Sequence, residues 1–146
     1  MGMNNDMNNL MESIRSVEKL RVTGRRVFCR VDLNVPLNSD LTISDDSRIR
    51  AALPTIEYLK DKGAKVILAS HLGRPKGKVV AEMSLEPVAA RLADLLKCDV
   101  LLPDSCVGRA ATSIVKDARD GDVILLENLR FHPGEKAGDL EFAREL

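Results

Sequence analysis

The sequence predicts an α/β fold: a three-layer sandwich, doubly wound, with a parallel sheet between layers of helix. Two observations predict it. From Arg25 onward, segments with strand composition alternate with segments of helical periodicity, the pattern of βαβ units. Two of the strand segments, residues 66–69 and 123–126, are unbroken apolar runs, which is how strands covered by helices on both faces read.

Taken in order, residues 25–31 form a β-branched and aromatic run that fits a first strand. Ile49, Ala52, Leu53, Ile56 and Leu59 recur at helical spacing, and Gly63 is the stop signal; Pro54 inside this helix implies a kink or a late start. Lys65–Ala69 is the second strand. Ser84 can cap a helix whose apolar face carries Leu85, Val88, Ala89, Leu92, Leu95 and Leu96. Residues 99–102 make a short third strand. Val107, Ala110, Ala111, Ile114, Val115 and Ala118 trace a third helix closed by Gly121, and residues 122–126 a fourth strand. Asp139 can cap a last helix that has barely begun at Leu146. Residues 1–11 stand apart, with four methionines, four asparagines, one charge and no periodicity; they read as a disordered extension or as sequence upstream of a true start at Met11.

The 146 residues amount to one domain by length. With 22 basic and 22 acidic side chains the formal net charge is zero, so no global field attracts nucleic acid or an anionic membrane; an anion site has to be a local cluster. Three Phe, one Tyr and no Trp leave an aliphatic core and argue against stacking platforms for single-stranded nucleic acid. Cys29, Cys98 and Cys106 form no C-x-x-C pair, Cys29 reads as a buried thiol, and the odd, scattered count suggests a reducing compartment. No apolar run reaches the ~20 residues of a membrane span, and the start carries no secretory pattern. A cytoplasmic protein is expected, binding a small molecule and neither nucleic acid nor membrane, and monomeric.

The chemistry gathers at the strand ends. Asp32-Leu33-Asn34-Val35-Pro36 leaves the first strand, His71-Leu72-Gly73-Arg74-Pro75 the second, and Glu127-Asn128-Leu129-Arg130-Phe131 the fourth. In an open parallel sheet this edge is where ligands bind. Arg48, near the start of the first helix, faces the same edge. Singly, each residue has an ordinary explanation. Asp32 and Asn34 before Pro36 are turn chemistry, His71 a surface histidine, residues 73–77 a flexible loop, and Arg48 a solvated charge. Arg130 could pair with Glu127 or Glu135. Together they are harder to dismiss. Two guanidinium groups ~6 Å apart at an effective dielectric of ~20 repel by roughly 3 kcal/mol. Gathering Arg48, Arg74 and Arg130 at one edge is therefore unfavourable unless a polyanion joins them, and Arg forks suit phosphate and carboxylate. An Asp to accept from a hydroxyl and an Asn to donate to a carboxylate complete a site for a small molecule with phosphate, carboxylate and hydroxyl. Neither G-x-G-x-x-G nor G-x-x-x-x-G-K-[ST] occurs, which argues against a generic nucleotide-binding Rossmann fold. His71 and His132 do not suggest a metal site, and none is expected.

RVDLNVPL (residues 30–37), SRIRAALPTI (47–56), ASHLGRPKG (69–77), SLEPVAARL (84–92) and DVILLENLRFHPGE (122–135) closely resemble the phosphoglycerate kinase family, over residues 14–146. The resemblance implies the Rossmann-like amino-terminal domain of that fold, incomplete, over residues 12–146, with the nucleotide-binding domain absent. It implies phosphoryl transfer between 1,3-bisphosphoglycerate and ADP, giving 3-phosphoglycerate and ATP. This chain would carry the 3-phosphoglycerate part. Mg-ATP/ADP would be bound by the missing lobe and not by this chain. Carried over, Asp32 would take the substrate hydroxyl; Asn34 and Arg48 would hold the carboxyl end, with Arg48 neutralising the group in flight. His71, Arg74 and Arg130 would hold the phosphate that is not transferred, with Leu33, Leu72 and Gly73 among the substrate-binding residues. Gly134-Glu135-Lys136 departs from the usual family sequence, outside the expected site. The chain stops before further sheet strands and the nucleotide lobe, which predicts an inactive fragment with an open sheet edge. The competing expectation is a non-catalytic anion-binding or interaction module that kept the fold.

Overall fold

The structure, a computed structural model, describes residues 14–146. The extension expected at residues 1–11 lies outside the described residues. Strand β1 (Arg26–Arg30) leads to helix α1 (Ser47–Asp61) and strand β2 (Lys65–Ala69). Helix α2 (Glu86–Leu96), strand β3 (Val100–Leu101), helix α3 (Arg109–Asp117) and strand β4 (Val123–Leu125) follow, then the short helices α4 (Gly134–Ala137) and α5 (Leu140–Glu145). The four strands form one sheet in the order β1-β2-β4-β3, every pairing parallel.

The period-two alternation of β2 separates two cores. Val66 and Leu68 face one way, with Val123 and Leu125, against Ile49, Ile56 and Leu59 of α1 and Val88, Leu92 and Leu96 of α2. Ile67 and Ala69 face the other way, with Ile124 and Leu126, against Ala111 of α3 and Phe142 of α5. Helices thus cover both faces, as the apolar strands require, and the sandwich has three layers.

Local chemistry explains most boundaries. At the end of α1, Gly63 (φ +73°) donates to Lys60 O at 2.9 Å and Ala64 to Leu59 O at 3.0 Å, a Schellman closure. Asp139 caps α5 through Glu141 N and Phe142 N. Other expectations need correction. Helix α1 begins at Ser47 and runs through Pro54, so there is no late start; burial of Ile49 and Ile56 on either side outweighs the backbone hydrogen bond that the proline removes. Helix α3 closes at Ala118, whose backbone is extended, and Gly121 instead turns the chain into β4 by donating to Ala64 O at 2.9 Å. Helix α2 starts at Glu86, with Ser84 Oγ accepting from Glu86 N at 3.2 Å. Cys29 is only half-buried because β1 is an edge strand, though burial still raises its thiol; the buried Cys106 is pushed up to about 11. Among the described residues no helix is long and apolar enough to cross a membrane.

Candidate functional site

Because all strands run the same way, the segments after β1, β2 and β4 emerge at one edge of the sheet. After β1, Leu33 is fully buried and its N–H donates to Ser70 Oγ at 3.0 Å, pinning the first loop to the second. Asn34 N–H donates to Asp32 Oδ1 at 3.2 Å, so the turn chemistry legible in the sequence is present. It coexists with an outward carboxylate: the Asp32 side chain is 63% exposed and receives Arg48 Nη1 on Oδ2 at 2.6 Å. Arg48 lies in the first turn of α1, and helical side chains tilt toward the helix N-terminus, which aims it back at the strand end. The hydrogen bond from Arg48 holds the Asp32 carboxyl below its usual value, against the smaller opposing effect of burial, with the Asn34 amide and the Arg48 charge assisting.

The loop after β2 docks on its neighbours. Asn34 Oδ1 accepts from Gly73 N at 2.9 Å, which leaves the Asn34 Nδ2 group to donate to a ligand. Gly73 has φ +62°, and a Cβ there would stand 3.0 Å from Met83 Sδ. Asn128, fully buried, donates from Nδ2 to Leu72 O at 2.8 Å and Met83 O at 2.9 Å, and accepts Arg130 N at 3.0 Å. That one amide locks the loops after β2 and β4 together and places Arg130 on a 3₁₀ turn, Leu129–Phe131. Arg130 Nε then donates to Glu135 Oε2 at 3.2 Å, while Arg30 Nη2 donates to Glu135 Oε1 at 3.0 Å. Gly77 N–H donates to Arg130 O at 3.1 Å, so the loop after β2 closes over Arg130. Arg74 and Arg130 line a cavity of about 670 Å³ together with Lys76, His132 and Lys136. His71 is half-buried; burial first, then the charges of Arg130 and Arg30, lower its pKa, with Glu135 and Asp32 opposing.

The residues singled out in the sequence thus fall into two linked groups. Asp32, Asn34 and Arg48 gather at the β1 end, and Arg74 and Arg130 share the cavity at the β4 end. His71, in the loop after β2, feels charges of both groups, Arg130 lowering its pKa and Asp32 raising it. Arg48 pairs with Asp32 and does not line the cavity that Arg74 and Arg130 share. Leu33 and Leu72 have buried side chains and can offer a ligand only main chain. Glu135 requires a correction: it lies inside the cluster, bridging two arginines, because the turn after β4 reverses at Pro133-Gly134 and returns it to Arg130. Glu127 is not Arg130's partner. It is buried and accepts from Ser84 Oγ at 2.7 Å and Leu85 N at 2.9 Å, anchoring the start of α2. Arg30 went unsingled although its parity was legible: it is the last residue of β1 and alternates with Cys29, which packs against the core. Ser70 and Asn128 carry no sequence signal of their clamping role, which depends on loops from different strands meeting.

Comparison with known proteins agrees with this geometry. The family model described as phosphoglycerate kinase matches residues 17–146. A phosphoglycerate kinase from Picosynechococcus sp. is 56% identical over 135 residues, covering 92% of this chain and 34% of that protein. One from Anaeromyxobacter dehalogenans is 55% identical over 136 residues, again 92% of this chain and 34% of its own length. The crystal structure of phosphoglycerate kinase from Pyrococcus horikoshii superposes with a TM-score of 0.78 at 34% identity, over 90% of this chain and 34% of that one. The structure from Coxiella burnetii gives 0.78 at 40% identity, over 90% and 32%. The chain spans about a third of the length of the curated relatives it matches, and over that span it belongs to the phosphoglycerate kinase family.

Proposed function

We propose that this chain forms the 3-phosphoglycerate-binding part of a phosphoglycerate kinase, which moves a phosphoryl group between 1,3-bisphosphoglycerate and ADP. The observation that carries the reading is the cationic rim at the carboxyl end of the sheet: Arg48 on Asp32, and Arg30 and Arg130 on a single carboxylate beside Arg74 and His71. Asp32 accepts from the substrate hydroxyl. Asn34 Nδ2 and Arg48 hold the carboxyl end, and Arg48 offsets charge on the group being transferred. Arg74, Arg130 and His71 hold the phosphate that stays. Leu33, Leu72 and Gly73 shape the loops and present main chain.

Such a site suits this reaction. The acceptor carboxylate is already ionised at neutral pH, so no general base is required. Positioning and charge neutralisation carry the chemistry. The Asp32–Arg48 pair is solvent-exposed on both sides, so exchanging it for substrate contacts costs little, as expected of surface pairs worth about 1 kcal/mol or less. Arg48 can therefore turn toward the carboxyl group without leaving a buried charge behind. The nucleotide and its magnesium are assigned to no residue of this chain, and the chain alone is expected not to turn over. Titration calorimetry tests the reading. The chain should bind 3-phosphoglycerate and Arg74→Ala should weaken it about 10- to 100-fold, the loss of one charged hydrogen-bonding partner. Tight ATP binding to this chain, or no measurable 3-phosphoglycerate binding, would sink it.

A further inference from the structure

Glu135 is an acid in the middle of a site read as an anion receptor. Its side chain is 11% exposed, and its two oxygens are divided between two arginines from different elements: Oε1 to Arg30 Nη2 at 3.0 Å and Oε2 to Arg130 Nε at 3.2 Å. A carboxylate this enclosed is retained only if well paired. Burial acting alone would raise its pKa, but the Arg30 hydrogen bond and the Arg130 charge together hold it below the usual value. The turn that delivers it is tightly built. Gly134 N–H donates to His132 Nδ1 at 3.0 Å, His132 stacks on Phe142 with centroids 4.1 Å apart, and a Cβ on Gly134 would stand 2.7 Å from Phe142 Cβ. The backbone is therefore held where it aims Glu135 at the two arginines. Arg130 spends Nε on Glu135 and directs Nη1 toward Gly73 O at 3.5 Å, so its Nη2 end remains for a ligand.

We infer that Glu135 is the positioning residue of the phosphate subsite: one carboxylate holds Arg30 and Arg130 side by side and sets which N–H groups of Arg130 face the ligand. The inference rests on the site being a phosphate-binding one. Without the carboxylate, the two guanidinium groups that share it repel each other with no charge between them, and Arg130 loses the contact that fixes its plane. A nearby acid also repels an anion, so the two effects oppose. Ordering wins, because phosphate recognition by Arg depends on fork geometry.

The test uses the 146-residue chain and the variants Glu135→Gln, Arg130→Lys and their combination, with 3-phosphoglycerate in titration calorimetry. Glu135→Gln should weaken binding about tenfold, and the same change in the Arg130→Lys background should cost less than twofold, because the acid acts through the guanidinium. Unchanged or tighter binding by Glu135→Gln would overturn the inference, as would a loss that adds in full to that of Arg130→Lys. Should Glu135→Gln unfold, Glu135→Asp takes its place: a threefold or larger loss that vanishes with Arg130→Lys supports the inference, and wild-type affinity overturns it. If the parent chain binds no 3-phosphoglycerate, the functional reading fails, and the positioning is then judged without ligand by NMR titration of His71. Among the groups that bear on His71, Arg130 and Arg30 lower its midpoint while Glu135 and Asp32 raise it. Glu135→Gln should move that midpoint down and Glu135→Asp should keep it; an unmoved midpoint in Glu135→Gln overturns the placement.

Discussion

At the scale of single residues, the rim is a set of charges already half-satisfied by one another. Asp32 is held ionised chiefly by its hydrogen bond from Arg48, and His71 is held neutral by burial and by Arg130 and Arg30. His71 therefore reports on occupancy. An anion that screens the arginines should raise its pKa, so binding below about pH 6.5 should take up protons. Calorimetry near pH 6 in two buffers of different ionisation enthalpy should show more proton uptake by the parent chain than by His71→Gln, the difference removing the ligand phosphate's own titration. The same depressed pKa has a consequence for folding. Its contribution to stability is present above the unfolded value near 6.5 and is lost as pH falls through the folded value, so the free chain should melt at lower temperature in mild acid than at neutral pH. Asp32, Asn34, His71, Arg74 and Arg130 were legible because polar residues just after apolar strands are conspicuous, and Arg48 because it opens the helix that follows the first of them. Glu135 was legible only as one of two carboxylates that could pair with Arg130, and it is the one that does; nothing local in Gly134-Glu135-Lys136 says that it also takes Arg30.

At the scale of elements, side chains distant in sequence decide where helices begin and end. Glu127, 8% exposed, accepts from Leu85 N, Ser84 Oγ and its own neighbour Asn128 N at 2.7 Å. Glu127→Ala should strand buried donors and lower stability by about 2 kcal/mol or more, measured by denaturant unfolding. Helix α2 closes on Lys97, a non-glycine residue at φ +55°. Lys97→Gly removes the Cβ strain of that conformation, and although glycine loses more entropy on folding, a net gain of roughly 0.5 kcal/mol in unfolding free energy is expected. The second strand matched its sequence reading residue for residue because both its ends carry local signals, Gly63-Ala64 before it and the polar Ser70-His71 after it. The third strand was read as residues 99–102 and pairs only over Val100–Leu101, because how far a strand pairs depends on its neighbour β4.

At the scale of the whole molecule, the sheet has unequal halves. Leu68 on the central strand β2 is fully buried, whereas Phe28 on edge strand β1 is 46% exposed. Leu68→Ala should cost about 2–5 kcal/mol, and Phe28→Thr well under about 2 kcal/mol, despite the larger side chain. Equal costs in chemical denaturation would mean that the exposed face of β1 is covered in solution. Among the described residues no strand pairs with β1 on the side away from β2.

Alternation of apolar periodicity, two unbroken apolar strands and turn residues at their ends were enough to establish a parallel α/β sandwich and to place Asp32, His71, Arg74 and Arg130 in the segments that leave the carboxyl ends of its strands. Those properties are local: they follow from side-chain spacing and backbone preference within a few residues. The strand order β1-β2-β4-β3 and the clamping of three loops by Asn128 and Ser70 came only from the tertiary structure, as did the seating of Glu135 between Arg30 and Arg130. The physical reason is that packing and charge pairing act through space, between residues up to 105 positions apart, where no periodicity in the chain records them.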